Sequence, residues 1–243
     1  AARLPAHSLT WGIMSIGTST AGVGWLSLSL LWLAVICYLV LVLLLACRLI
    51  AFRHDLVNDL SDPARAFGFF TFVAASNVIG ARLVGDGHRE VVVGLLAVSS
   101  LAWLFLGYLI PAMVAHRPRT DPALRGVNGS WFIWVVASQS IAVLAATLEP
   151  QVEVGRRELA LVAVFSWSVG LFLYGTVGVL VVVRLLMFKI QPVEATPPYW
   201  VAMGATAISV VAGSKIIEMA KAPMVTATSA LIAGLAVLFW AFG

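Results

Sequence analysis

Charge is scarce in this chain of 243 residues: Asp, Glu, Lys and Arg together make up 11% of it, where an ordinary soluble domain carries roughly a quarter. That shortage, with 61% hydrophobic residues and a mean hydropathy of +1.01, excludes a soluble enzyme and a nucleic-acid-binding module. Cysteine is nearly absent as well. Cys37 and Cys47 fall in one apolar run, where ten helical residues separate them by about 15 Å, too far for a disulfide; both read as buried, inert thiols. A secreted disulfide scaffold is excluded with them. No cleavable signal stands out, because the first apolar segment is rich in Gly, Ser and Thr and lacks a compact Leu-rich core. The chain is expected to start close to its first span.

What is abundant is apolar sequence in runs of membrane length. At about 20 residues per helical span, eight spans are predicted, near residues 9–24, 25–47, 66–84, 91–114, 131–148, 159–180 or beyond, 198–217 and 225–243. They fill residues 1–243 as a single transmembrane domain. Long connections alternate with short ones, so the spans pair as hairpins 1–2, 3–4, 5–6 and 7–8. The stretch RHDLVNDLSDPAR (residues 53–65) reads as an interfacial helix or loop, with Asp62–Pro63 as a turn before span 3. Nine Lys and Arg, Arg184 and Lys189 among them, fall on the N-terminal side and six on the other. The positive-inside rule therefore predicts a multi-pass cell-membrane protein with a cytoplasmic N-terminus.

An internal repeat organises the spans further. WGIMSIGTSTAGVG (residues 11–24), FTFVAASNVIGARL (70–83), IWVVASQSIAVLAA (133–146) and WVAMGATAISVVAG (200–213) align without gaps. Gly17, Ser76, Gln139 and Thr206 share one column; Thr18, Asn77, Ser140 and Ala207 share the next. Odd-numbered spans are thus small and polar, whereas even-numbered spans are bulky and Leu- and Val-rich, as lipid-facing helices are. This predicts an all-α polytopic fold of helical hairpins with odd helices inside and even helices outside.

The middle of every span lacks Asp, Glu, His, Lys and Arg, which disfavours proton-coupled pumping and intramembrane metal chemistry. His7, His54, His88 and His116 fall outside the spans, so no metal site can be assembled, and no phosphate loop or nucleophile with its base is present. No cofactor is expected. Ser15, Thr18, Ser76, Asn77, Ser138, Gln139, Ser140, Thr206 and Ser209 remain as candidate pore-lining groups, able to offer neutral donors to a partly dehydrated ion without trapping it. An interhelical hydrogen bond is the competing role for each. Arg82 and Lys215 fall near the same end of two odd spans and are candidate pore-mouth cations that attract anions. Glu218 is within reach of Lys215, and Glu149 occupies the same end of span 5.

Four segments in register, DLSDPARAFGFFTFVAASNVIGARL (residues 59–83), NGSWFIWVVASQSIAVL (128–144), PPYWVAMGATAISVVAG (197–213) and the final LFWAFG, resemble the tellurite-resistance and C4-dicarboxylate transporter family, which includes the plant slow anion channels of the voltage-dependent anion channel superfamily. The resemblance implies ten helices in five hairpins around a central pore, commonly three protomers per assembly, and transport of small anions without ATP. The fifth hairpin, which carries the family's gating phenylalanine, is expected to be missing, so the sequence is expected to be a fragment or else a reduced form whose pore another chain completes. Family pore helices are often kinked at proline, whereas spans 1, 3 and 5 have none in their interiors.

The sequence therefore predicts a channel-like or uniporter-like pathway for small anions, not an enzyme and with no nucleic-acid partner, in contact with lipid and forming a homotrimer. A proton-coupled C4-dicarboxylate, tellurite or sulfite carrier, and a truncated, non-transporting assembly subunit, are the alternatives.

Overall fold

The computed structural model describes residues 24–116, 123–189, 197–219 and 223–243, and every regular element among them is helical. The helices are α1 (Gly24–Ala51), α2 (Arg53–Ser61), α3 (Thr71–Leu83), α4 (Arg89–His116), α5 (Phe132–Leu148), α6 (Arg156–Met187), α7 (Val201–Glu218) and α8 (Pro223–Phe242). Seven helical segments among the described residues are long and apolar enough to cross a membrane. They correspond to predicted spans 2 to 8, while the predicted first span, with Ser15 and Thr18, lies outside the described residues.

The apolar pattern explains both the lengths and the burial. α1 runs for 28 residues, about 42 Å at 1.5 Å per residue, so it exceeds a hydrocarbon core of about 30 Å and exposes Leu, Val and Ile around most of its surface. α6, at 32 residues, carries its apolar run past the predicted connection and takes Arg184 into its last turn. There Arg184 is 4% exposed and its Nε donates to the Arg125 carbonyl at 3.4 Å. Cys47, expected to be buried, is exposed on α1, and Cys37 is half-buried; among the described residues, only α2 and α3 pack appreciably on α1, so most of its circumference is left to these small and apolar side chains as surface.

Burial separates the two kinds of span. In α5, 78% of the apolar window is buried, in α3 with its flanking turns 56% and in α7 39%, against 11–28% in α1, α4, α6 and α8. α5 is the hub: it packs on α6, α7, α3 and α4, and α7 in turn pairs with α8. Lipid supplies no hydrophobic drive for helices to associate, so this proximity depends on close van der Waals packing of small residues and on interhelical hydrogen bonds. Gly80 on α3 admits the Leu144 side chain of α5, and Gly213 on α7 lies against Ile232 of α8.

Each described odd span is entered by a 3₁₀ turn that ends on an aromatic residue: Ala66–Phe70, Gly129–Trp131 and Pro197–Trp200. The repeat seen in the sequence is therefore a repeated structural unit. These entry turns lock together. Trp131 Nε1 donates to the Pro63 carbonyl at 2.8 Å and Asn128 Nδ2 to the Ala64 carbonyl at 3.3 Å, while Asn128 Oδ1 caps its own turn by accepting from Ser130 N at 2.8 Å. Phe67 packs on Trp131 with ring centroids 4.3 Å apart. Gly129 lies so close to the backbone of Pro198 and Tyr199 that no side chain fits there.

The polar stretch before span 3 forms α2, an amphipathic helix in which Leu56 and Leu60, one turn apart, are buried while Arg53, His54 and Asp55 are exposed. Asp59 bridges Arg48 at the end of α1 and Arg65 before α3, so one carboxylate ties the outer helix to the entry of the inner one.

Candidate functional site

The repeat columns place their polar side chains in the interior of the bundle. Ser76, Asn77, Ser138, Gln139, Ser140, Thr206 and Ser209 are all at most 3% exposed. A buried donor or acceptor without water must find a protein partner, and most of these do so across helices.

Ser76 spends its own proton on the Phe72 carbonyl at 2.8 Å, which leaves the Tyr38 hydroxyl of α1 to donate to Ser76 Oγ at 2.8 Å. The Asn77 carboxamide satisfies three contacts at once. Nδ2 donates to the Val73 carbonyl at 2.9 Å and to Ser140 Oγ at 3.1 Å, and Oδ1 accepts from Ser99 Oγ at 2.8 Å. Asn77 and Ser140, from the same repeat column, thus meet directly between α3 and α5, and Ser99 brings α4 into the same knot.

The next interface repeats the device with backbone acceptors. Ser138 Oγ donates to the Ser166 carbonyl at 2.8 Å and Gln139 Nε2 to the Trp167 carbonyl at 3.2 Å. Gly170 of α6 leaves the space in which the Gln139 carboxamide sits, since a Cβ there would fall 2.5 Å from Nε2. Trp167 Nε1 continues the chain to the Ser209 carbonyl of α7 at 3.1 Å. Thr206 and Ser209 turn their own hydroxyls back to Met203 and Ala205 at 2.7 Å, the local pattern by which hydroxyl residues satisfy themselves within a helix. Ala207, in the column of Asn77 and Ser140, is exposed. A face of α7 running through Gly204, Ala207, Val211 and Ser214 is open with it.

Sequence reasoning missed the partners on the even-numbered spans, namely Ser99, Ser166 and Trp167, together with Tyr38. These spans read as nearly free of polar groups, yet Ser99 is 0% and Ser166 8% exposed. The available signal was the cluster FSWS (residues 165–168) inside an otherwise apolar run.

Both candidate mouth cations are paired. Arg82 Nη1 lies 3.4 Å from Asp86 Oδ1 and equally from Oδ2, and Lys215 Nζ lies 2.6 Å from Glu218 Oε2. Among the described residues no group of three or more His, Cys, Asp or Glu could hold a metal ion.

A family model described as voltage-dependent anion channel matches residues 6–243. The chain belongs to the voltage-dependent anion channel family. An uncharacterized membrane protein of Mycobacterium tuberculosis is 63% identical over 73 residues, covering 30% of this chain and 37% of that protein. Two uncharacterized transporters of Methanocaldococcus jannaschii are 24% identical over 197 residues, covering 81% of this chain and 56% of the relative, and 22% identical over 219 residues, covering 90% and 63%. The matched region thus spans between about a third and two thirds of the length of these curated relatives. No solved structure gives a significant match. Family and relatives point to membrane transport rather than enzymatic catalysis. For a member of the voltage-dependent anion channel family, the buried column of hydroxyls and carboxamides and the open face of α7 are the features to be explained.

Proposed function

We propose that this chain forms part of a passive, channel-like or uniporter-like pathway for small anions, flanked by the odd-numbered spans. The observation that carries the reading is the chemistry of the interior. Among the described residues the buried polar side chains within the spans are hydroxyls and carboxamides, and the two buried charged residues, Glu149 and Arg184, stand at span ends. Neutral groups can replace part of an anion's hydration without holding it, which conduction needs. In this reading Ser76, Asn77, Ser138, Gln139, Ser140 and Ser209 fix the spacing and register of the wall. The open face of α7 at Ala207 and Ser214 borders the path, the buried Thr206 lies behind it, and Ser15 and Thr18 of the first span contribute to it. Arg82 and Lys215 stand at its mouth. The protein is placed in the cell membrane with a cytoplasmic N-terminus, and three copies form the assembly.

Radiolabelled chloride or nitrate uptake into liposomes holding the purified protein tests this. Uptake that follows the anion gradient and is indifferent to an imposed proton gradient is the expected result. Uptake that requires the proton gradient would establish a coupled dicarboxylate, tellurite or sulfite carrier instead. Absence of uptake of every anion offered would leave an assembly subunit.

A further inference from the structure

α1 carries its exposed apolar side to the end of the helix. Ile36, Leu43 and Ile50 lie seven residues apart, hence on one face, and all three are exposed, Ile50 most of all at 83%. α2 begins after the single residue Phe52, itself 59% exposed, so no linker lets it move away from the membrane surface that α1 has just reached. α4 fixes the depth of α2 from the other side. Gly107 of α4 lies beside Trp134, in the first turn of α5, so the part of α4 beyond Gly107, about 13 Å of helix, overhangs the α5 entry. α2 packs on α4, and Ile110 and Val114 of the overhang are buried.

At 3.6 residues per turn, α2 has three faces. Leu56 and Leu60 form the face buried on the bundle. Beside it, Arg53 and Val57 lie one turn apart and share a second face, where both are exposed. His54, Asp55 and Asn58 make the third, which is exposed and polar throughout. The charges are sorted to match. Asp59 turns to Arg48 and Arg65, and Asp55, two residues after Arg53, points about 160° away from it, so neither carboxylate shares the face of Arg53 and Val57. Arg53 makes no ion pair with any described residue.

We propose that Phe52 and the Arg53–Val57 face of α2 form a docking surface for phospholipid: the two apolar side chains enter the hydrocarbon boundary, and the Arg53 guanidinium binds a headgroup phosphate, most tightly that of an anionic lipid. Continuity and charge name this occupant. The apolar surface runs on from the exposed stripe of a membrane-crossing helix. An exposed Phe and Val flanking an unpaired Arg fit the boundary between acyl chains and headgroups, where an amphipathic helix buries its apolar side and its cation meets phosphate. A zwitterionic headgroup sets its own cation against that phosphate, whereas an anionic one leaves it free for Arg53. The surface also reaches the inner helices. Asp59 ties α2 to Arg65 ahead of α3, so lipid held on one side of α2 braces the entry of an inner span on the other.

The test uses the full chain in vesicles of phosphatidylethanolamine and phosphatidylglycerol, with Cys37 and Cys47 replaced by Ala and a nitroxide attached to Phe52→Cys, His54→Cys, Val57→Cys or Asn58→Cys, one at a time. All four positions are exposed, so the labels displace no buried contact, and neither readout depends on anion transport. Labels at positions 52 and 57 should be relaxed more by oxygen, which concentrates in hydrocarbon, than by a water-soluble nickel chelate; labels at 54 and 58 should show the reverse. In a second arm, native mass spectrometry of the detergent-solubilised protein with added phosphatidylglycerol should show several-fold weaker lipid retention in Arg53→Gln than in the wild type, with Arg53→Lys retaining more than Arg53→Gln. A label at position 57 as open to nickel as one at 58 would put this face in water, and a label there closed to both reagents would put it under protein. Either result overturns the proposal, as does equal lipid retention by the wild type and Arg53→Gln.

Discussion

Asn77 on α3 and Ser140 on α5 stand 3.1 Å apart, Nδ2 to Oγ, in the interior of the bundle, with Ser99 of α4 donating to the other end of the same carboxamide. Interhelical hydrogen bonds in membranes average about 0.6 kcal/mol and reach about 1.7. Truncation of Asn77 removes both interhelical bonds at once, while Ser140 and Ser99 keep their bonds to the Ala137 and Leu96 carbonyls. Asn77→Ala is therefore expected to lower stability by about 1–2 kcal/mol, read as a lower midpoint of thermal unfolding in detergent. Ser168→Ala, whose hydroxyl is exposed and bonds only within its own helix, should leave the midpoint unchanged. Equal midpoints for all three proteins would remove the knot from the account of stability.

Gly129 and Gly204 make a second contrast. A methyl at Gly129 meets the main chain of Pro198 and Tyr199, which cannot rotate away, whereas one at Gly204 meets nothing within 4 Å. Overpacking of this kind costs about 1–3 kcal/mol or more. Gly129→Ala should thus separate the entry turns of α5 and α7 and reduce the yield of folded protein on size-exclusion chromatography. Gly204→Ala should behave as wild type, since Ala is also the better helix former. A well-folded Gly129→Ala protein would show that the entry turns are not locked.

How much of this was legible in the sequence depended on periodicity. Seven spans and their hairpin order follow from apolar runs of membrane length. The distinction between odd and even spans follows from the repeat columns, because small polar residues at a fixed position mark the helices that others cover. The partners were not legible. Nothing in Ser99 or Trp167 says which carbonyl or carboxamide each will meet, since that depends on helix rotation and depth, which the hydropathy pattern leaves open. The end of α6 was open for a related reason: the helix is longer than a bilayer core, and its final turn carries Arg184, a cation past the apolar run, so hydropathy alone does not say where the helix stops.

The Arg82–Asp86 pair changes what a mouth charge should do. The two side chains lie 3.4 Å apart at the end of α3, so their charges cancel at a distance and removal of either leaves the other exposed. Arg82→Gln should lower anion uptake a few-fold at low salt, and Asp86→Asn should raise it by a similar factor. The double variant should return to the wild-type rate. These effects act through a screened potential and should shrink as the Debye length falls from about 30 Å at 0.01 M to about 10 Å at 0.1 M. Uptake measured in the four proteins at both salt concentrations checks this. A loss in Arg82→Gln that persists at high salt would indicate a structural role.

The open face of α7 gives the most direct test of where water and anions run. Ala207 and Ser214 are exposed, while Ser138 is 0% and Ser140 1% exposed, although Ala207 and Ser140 occupy the same repeat column. Exposure in a membrane protein has two meanings, because a surface residue can face lipid or an aqueous path. Methanethiosulfonate reagents distinguish them: they react with the thiolate, the nucleophilic form of cysteine, and a thiol buried in hydrocarbon stays protonated because the charged form is poorly solvated there. With Cys37 and Cys47 first replaced by Ala, Ala207→Cys and Ser214→Cys should be modified by a charged methanethiosulfonate, and excess chloride should slow the reaction if anions share the path. Ser138→Cys and Ser140→Cys should stay unmodified, as should Leu43→Cys on α1, which is 64% exposed and is expected to meet lipid. Modification of Leu43→Cys at the rate of Ala207→Cys would mean that the reagent does not discriminate. Protection of both α7 positions would place that face against lipid or another helix and move the path elsewhere in the bundle.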